Sequence, residues 1–590
     1  NQIAYADPGF FRLFDFELVK GDKATCLSMP RQVVITERIA RKYFQDEDPI
    51  GKILIFTGPY DKVVCEVTGV MKEMPSNSHI HYNFLISYKS LGQYLHDYWY
   101  KHEVYTYVLL DSPERKEEIE KAFPAMSEKY KTDEALKNKI WGVSLTPLAD
   151  IHLKPQVGYE AEIKGNRTAM IALIFAAIAI LAIAWINYIN LTVARSMERA
   201  KEVGVRRVIG AFRKQLVSQF LFEALVMNLV ALVLAVGLIE LILPYFNQLV
   251  SRTVTFSVWL TGYWWLLLLI VFVGGIFLSG YYPALALLNR KPITLLKGKF
   301  LNSKSGEGTR KVLVVVQYTA SMILLCGTLI VFAQLNFMRN QSLGVKTDQT
   351  LVVKFPGRTE GMNTKLEAMK KAIARLPLVD KVTFSGAVPG EEVATFLSNR
   401  RKSDALKQNR LYEMLVCDPD YIDAYGLQLV AGRGFSEDYG DDVNKLVVNE
   451  SAVRNLGIAS NEEALGEEIE VECTDAPMQI IGVVKDYHQQ ALNKNYTPIM
   501  LIHKDKIGWL PQRYISIVMK SGDPKELVSQ VEEIWHRYFE DSSYDFFFLD
   551  QFFDHQYRQD EVFGVMIGCF TGLAIFISCL GLWEIGRAHV

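Results

Sequence analysis

Residues 170–191 read MIALIFAAIAILAIAWINYINL, a stretch without a single charge. At a rise of 1.5 Å per residue it reaches across the ~30 Å hydrocarbon core of a bilayer, so it reads as a transmembrane helix. Residues 220–243, 263–288, 312–338 and 562–583 are four more, each bounded by polar sequence. The competing reading, buried helices of a large soluble core, fares poorly because five such lengths in one chain are unusual there. Composition agrees with a mixture. The 590 residues are 50% hydrophobic and 22% charged, with a mean hydropathy of +0.09, too apolar for a soluble protein and too polar for spans alone. Disorder and collagen are excluded by composition. A formal net charge of −2 argues against nucleic acid as a partner.

Basic residues in short loops stay on the cytoplasmic side. The loop after the first span carries Arg195, Arg199, Lys201, Arg206, Arg207, Arg213 and Lys214 against Glu198 and Glu202. Two spans later, residues 289–311 carry Arg290, Lys291, Lys297, Lys299, Lys304, Arg310 and Lys311 against Glu307. Both loops are therefore expected inside, and the acidic segments 1–166 and 339–560 outside. Trp259, Trp264, Trp265, Tyr281 and Tyr282 flank or end the third span as interfacial aromatics would.

The two outer segments repeat one another. Asp7–Gly21, DPGFFRLFDFELVKG, aligns without a gap on Asp418–Gly432, DPDYIDAYGLQLVAG, at an offset of 411. The match continues through Val33–Glu37 on Leu446–Glu450, Pro49–Gly51 on Ala464–Gly466, and Val67–Lys72 on Ile480–Lys485. Patterning predicts an α+β layer in each copy, with strands at 105–110 and 515–519 followed by helices at 114–130 and 525–538. The second copy adds a strand–helix–strand unit (351–355, 362–376, 382–385) for which the first has no counterpart. The chain is accordingly expected to be a fragment, lacking an upstream span and part of the first outer domain. At the other end, Glu584–Val590, EIGRAHV, is the translation of a common sequencing-adapter string and is expected to be foreign.

The fold class that follows is an α-helical integral membrane bundle with two duplicated α+β extracytoplasmic domains. Its expected organisation is a first outer domain at 1–166 and a membrane domain at 167–299 with spans 170–191, 220–243 and 263–288. A cytoplasmic linker at 300–311, a span at 312–338, the second outer domain at 339–560 and a last span at 562–583 complete it.

The loop from Ser196, SMERAKEVGVRRVIGAFRKQLVSQFLFEALV, carries a specific resemblance. It resembles the FtsX-like domain of ABC transporter permeases of the MacB type, through Glu202, Val203, Gly204, Arg206, Gly210, Ala211 and Glu223. The outer segments are similar to the MacB-like periplasmic core, including the Asp7-Pro8, Gly21, Gly51 and Ser78-His79 positions. The doubled arrangement resembles permeases with two FtsX-like domains. In that family the loop couples to a separate ABC ATPase, so the resemblance implies that Glu202, Gly204, Arg206 and Gly210 lie near that contact. It further implies a bacterial inner-membrane location, ATP and Mg²⁺ used by the partner rather than this chain, and mechanotransmission to the outer domains driving export. It leaves open whether a periplasmic membrane-fusion adaptor and an outer-membrane channel complete the path. A regulatory scaffold that controls a cell-envelope hydrolase or senses peptide is the alternative.

Read from the residues alone, the loop is a short amphipathic helix punctuated by its glycines, a compact knob able to dock in a groove. The bland reading is ordinary positive-inside arginines and lysines snorkelling near span ends. Glu223, four residues into the second span, is costly there unless it faces water or a partner. A structural role near the cytoplasmic surface is expected of it. Asn187 and Asn190 are expected to hydrogen-bond between helices, at about 1 kcal/mol each.

No GxxxxGK[ST] phosphate loop occurs; Gly306–Lys311 imitates one superficially, and residues 297–309 read as a flexible linker. His79 and His81 would share one face of a strand, but no third ligand completes a metal site, and none is expected. Cys26, Cys65, Cys417 and Cys473 fall outside the membrane, where one or two disulfides could form.

Overall fold

The computed structural model describes residues 2–57, 62–75, 77–95, 99, 104–131, 141–153, 165–257, 262–288, 304–356, 362–393, 395–404, 409–492, 494–508, 510–540 and 542–587. Trp259, Arg290, Lys291, Lys297, Lys299 and residues 300–303 of the expected linker lie outside the described residues. The chain divides into one unit of residues 1–165 with 342–556 and another of 166–341 with 557–590.

The first unit contains both repeats. In the first lobe, β1 (Ile3–Ala6), β2 (Leu18–Lys20), β3 (Gln32–Thr36), β4 (Ile53–Thr57), β5 (Lys62–Met71) and β6 (Phe84–Ser87) pair in the order β1-β6-β3-β5-β2, with β4 also on β5. The second lobe carries β7 (Thr350–Lys354), β8 (Val379–Ser385), β9 (Phe396–Arg401), β10 (Arg410–Cys417), β11 (Leu429–Gly432), β12 (Lys445–Asn449), β13 (Glu468–Glu470), β14 (Met478–Val484), β15 (Ile499–His503), β16 (Tyr514–Met519) and β17 (Phe546–Phe548).

The repeat extends to register. β3 runs parallel to β5 with a shift between Val33 and Val34, and β12 runs parallel to β14 with the same shift between Leu446 and Val447. The extra residue leaves Gly69 opposite Val34 and Gly482 opposite Val447. Glycine is needed at the crossing of the neighbouring strand. Gly21 and Gly432 have φ of +95° and +69°, and a Cβ on either would lie 2.9 Å from the Cα of Gly69 or Gly482.

The second lobe closes a ring. β10 pairs with β15, β15 with β12, β12 with β14, β14 with β13, β13 with β9, and β9 returns to β10. Alternation along the strands sends Tyr412, Met414, Val416, Leu446, Val448, Ile480, Met500 and Ile502 into its interior. Against it lies a second layer in which β16 sits between β7 and β8. The helices Met362–Ile373 and Pro524–Tyr538 cover that layer, burying Leu366, Met369, Leu527, Val531 and Trp535 with Phe384 and Ile517.

The Asp-Pro shared by the two copies finds a physical reason in the second. Asp418 is buried at the end of β10, accepts from Thr383 Oγ1 (2.5 Å) and the Phe384 amide (3.0 Å), and pairs with Lys370 Nζ at 2.6 Å. Its burial pushes the carboxyl above the usual range, which the ammonium only partly offsets. Asp7, its counterpart, is exposed to a simpler task and accepts from the Gly9 amide at 2.8 Å.

Several expectations are corrected. Residues 105–110 form no strand; the equivalent β16 is held between β7 and β8, and among the described residues the first lobe has neither. The helix expected at 114–130 is present as Arg115–Tyr130. His79–His81 lies in an irregular segment rather than on a strand, and His79 Nε2 sits 2.8 Å from the Tyr107 hydroxyl. The disulfides do not form: all seven cysteines are free thiols, Cys26, Cys65 and Cys417 in apolar surroundings. Burial pushes the Cys26 thiol up to about 11.

The second unit is helical: α1 (Arg167–Val208), α2 (Arg213–Val250), α3 (Trp264–Leu288), α4 (Lys304–Asn340) and α5 (Leu549–Arg587). Among the described residues, five helices are long and apolar enough to cross a membrane. They outrun the charge-free stretches, and two expectations fail for that reason. Residues 304–309 belong to α4 rather than to a flexible linker, because adding turns to a formed helix outweighs about 1 kcal/mol per glycine. The knob is not a separate helix either, since α1 runs unbroken through Gly204 to Val208.

Small and hydroxylated residues let these helices approach. Thr328 and Thr571 hydroxyls lie 2.6 Å apart, and Ser321 and Ser578 hydroxyls 2.9 Å, tying α4 to α5. Gly280 of α3 faces Leu221 and Ala224 of α2, where a Cβ would come within 3.0 Å of the alanine.

Candidate functional site

The turn between α1 and α2 is built by backbone hydrogen bonds that end one helix and start the next. Gly210 has φ +104°, its N–H donates to Arg207 O (3.3 Å), and the Ala211 N–H donates to Arg206 O (2.9 Å). This is a Schellman closure, for which glycine supplies the left-handed residue. A Cβ at Gly210 would meet nothing within 4 Å, so conformation rather than space dictates glycine. The first amide of α2 is capped in turn: Phe212 N–H donates to Gln215 Oε1 at 3.0 Å.

Arg206 then joins the helices. Its Nη2 donates to Glu202 Oε1 at 2.6 Å, one turn back on α1, and its Nη1 to Gln219 Oε1 at 2.7 Å on α2. Gln219 Nε2 continues to Glu223 Oε1 at 3.2 Å. Three residues singled out from the sequence, Glu202, Arg206 and Glu223, thus lie on one chain of hydrogen bonds. Gln219 supplies the link. Gly204 is buried within α1, on the helix that carries Val203 into a small core with Leu216, Ala284 and Leu288.

Two further arginines fix the turn to α3. Arg207 Nη1 and Arg213 Nη2 each donate to the carbonyl of Leu288 at 3.0 Å. That carbonyl belongs to the end of α3, where the helix dipole favours cations. Hydrogen bonds thus join the turn to the ends of α1, α2 and α3.

The tip itself is apolar. Val208 is exposed, Ile209 is 80% exposed and Phe212 74%, flanked by Arg206, Arg213 and Lys214. Sequence reading passed over these three, although bulky apolar residues beside the turn glycine of a basic loop were the available signal.

Asn187 and Asn190 part company. Asn187 Nδ2 donates to Ile577 O at 3.2 Å, joining α1 to α5, and a Cβ on Gly581 would lie 2.2 Å from its amide oxygen. Asn190 is buried, and its Nδ2 has no acceptor among the described residues. Among the described residues no group of three or more His, Cys, Asp or Glu could hold a metal ion. Gly306–Lys311 is helical, unlike a loop that wraps a phosphate. The second lobe also holds a cleft of about 510 Å³ lined by Lys354, Glu391, Tyr514, Asp545, Phe547 and Phe552, where the Tyr514 hydroxyl donates to Glu391 at 2.9 Å. Its lining mixes both signs of charge.

Comparison with known proteins places these features. Residues 1–126 and 319–534 match the MacB-like periplasmic core domain, and residues 174–292 match the FtsX-like permease C-terminal domain. The macrolide export ATP-binding/permease protein MacB of Neisseria meningitidis serogroup A is 25% identical over 244 residues, 41% of this chain and 33% of that protein. The protein of the same name from Campylobacter jejuni is 32% identical over 133 residues, 22% of this chain and 20% of that protein. The chain thus spans about a third or less of the length of the curated relatives it matches. Among solved structures, the periplasmic region of MacB from Actinobacillus actinomycetemcomitans is 16% identical, covers 37% of this chain and 97% of that one, and has a TM-score of 0.27.

Proposed function

Because the chain belongs to the MacB/FtsX-like permeases, membrane proteins with periplasmic domains, we propose that it is a membrane subunit through which ATP hydrolysis elsewhere moves those domains. It sits in the bacterial inner membrane, binds no cofactor of its own, and takes an ABC ATPase as partner, which uses ATP and Mg²⁺. The α1–α2 turn is the contact. Ile209 and Phe212 enter an apolar groove of the ATPase while Arg206, Arg213 and Lys214 meet its acidic rim. Closure of the ATPase pushes the turn, the three tied helix ends shift, and the periplasmic lobes change conformation to expel substrate. The relatives are named for macrolide export, which supports export as the output. Nucleotide does this only by binding two conformations with different affinity.

One observation carries the reading: the tip is joined through Arg206, Arg207 and Arg213 to three helix ends at once. The test is the reconstituted complex with Glu202→Ala and Arg206→Ala together. An exposed ion pair contributes about 1 kcal/mol or less, so insertion and thermal stability should hold. Substrate stimulation of the ATPase and export should be lost. Phe212→Asp should weaken ATPase association by about thirtyfold or more, as loss of a buried anchor does. Undiminished coupling in both variants removes the role of the turn.

A further inference from the structure

The cleft of about 510 Å³ in the second lobe is built on three neighbouring strands. β16 runs antiparallel to β7 and sets Tyr514 opposite Lys354. The register that puts Phe546 against Val353 brings Asp545 opposite Lys354 from the other side, and the Lys354 amide donates to the Asp545 carbonyl at 2.9 Å. Residues opposite one another point to the same face of a sheet. Tyr514, Lys354 and Asp545 therefore form one row on that face, and Ser516, Val352 and Phe547 the next. Phe552 packs on Phe547 with ring centres 5.1 Å apart, and the Tyr514 ring meets Phe547 edge-on at 6.2 Å.

The charges on this face are unevenly matched. Glu391 has its partners: Oε1 accepts from the Tyr514 hydroxyl at 2.9 Å and lies 3.5 Å from Arg513 Nη1. Lys354 and Asp545 do not pair. Opposite charges facing one another across strands ordinarily do, yet among the described residues neither has an opposite charge within 4.0 Å. The Lys354 ammonium lies instead over Phe547, 5.8 Å from the ring centre. One ammonium and one carboxylate, both exposed, thus flank a group of aromatic rings.

We propose that this cleft binds a free α-amino acid with an aromatic side chain. The ligand carboxylate meets Lys354, its ammonium meets Asp545, and its ring packs against Phe547, Phe552 and Tyr514. An anion alone would be repelled by Asp545 and a cation alone by Lys354, so a ligand gains from both only by carrying both charges on neighbouring atoms. The volume is that of a small-molecule site. The site lies away from the α1–α2 turn in sequence and shares no residue with it, so coupling to an ATPase and amino-acid binding stand or fall separately.

The experiment is equilibrium dialysis of tritiated L-phenylalanine against the full chain in detergent, with phenylalaninamide and N-acetylphenylalanine as competitors. Phenylalanine should bind at submillimolar concentration. Each competitor lacks one charge and should bind about tenfold or more weakly, as loss of one charge-assisted contact allows. Lys354→Met should erase the preference over phenylalaninamide and keep that over N-acetylphenylalanine; Asp545→Asn should do the reverse. Both side chains being exposed, the melting of either variant should match the parent. Absence of binding at millimolar concentration overturns the proposal, as does a pair of preferences that both variants keep. N-acetylphenylalanine binding as tightly as phenylalanine overturns it in favour of a peptide's carboxyl end, and phenylalaninamide doing so overturns it in favour of a peptide's amino end.

Discussion

Glu413 shows how much one side chain can set. It lies on β10, paired on both sides with β9 and β15, and is 1% exposed. Its Oε2 has no hydrogen-bond partner, and burial, only partly offset by Thr497, pushes the carboxyl up to about 7. A raised folded-state pKa means that the native lobe holds this proton more tightly than the unfolded chain. Stability from Glu413 is therefore full below about pH 4.5 and is lost as pH climbs to about 7, by about 3 kcal/mol. The lobe should melt at lower temperature at pH 8 than at pH 5, and Glu413→Gln should flatten that difference. Circular-dichroism melts at the two pH values decide it; an equal slope in the variant removes Glu413 as the cause. This residue was not legible in advance. One glutamate in LYEMLVC looks like an outward position on an alternating strand, and what buries it is the packing on that face, where Leu415 and Cys417 of the same strand meet Tyr421 and Tyr487. Glu202 and Arg206 could be read because a pair four apart lies on one helix face whatever the tertiary structure. Arg207 and Arg213 could not, since their acceptor stands 81 and 75 residues away.

At the scale of elements, helices announce themselves and their partners do not. A charge-free run decides that 170–191 is a span, but which helices meet is settled by scattered small and hydroxylated residues. Thr328 and Thr571, 243 residues apart, share a hydrogen bond of 2.6 Å inside the helical unit. Such bonds between spans contribute about 0.5–1.5 kcal/mol. Thr328→Val and Thr571→Val should each destabilise the α4–α5 pair by that order, and the double variant should cost less than the two added together. A double-mutant cycle on denaturation in detergent measures the coupling; strict additivity would show that the hydroxyls do not hold the pair. Repeats were legible for a related reason. Gly21 and Gly432 stand at the same spacing from Asp7 and Asp418 because both copies cross a neighbouring strand at a glycine.

Across the whole molecule, the two lobes share one strand pattern, but among the described residues β13 is paired on both sides and β4 with β5 alone. Closure could not be read from sequence, because β9 meets β13 across 70 residues and nothing local marks the pairing. The difference should be visible in amide exchange. Protection of β13 by β9 should exceed that of the outer edge of β4 by roughly a hundredfold or more, because a free edge opens without breaking the core. Mass-spectrometric exchange on the intact chain compares them directly, and equal rates would show that β9 adds no protection to β13.

The doubled bulge has a mechanical corollary. A strand pair of even register can slide by two residues and restore every contact face, whereas the single extra residue before Gly69 and before Gly482 fits the crossing neighbour in one setting only. Whatever load reaches either lobe cannot be relaxed by creep along those strands. Each strand pair is thereby held in one register.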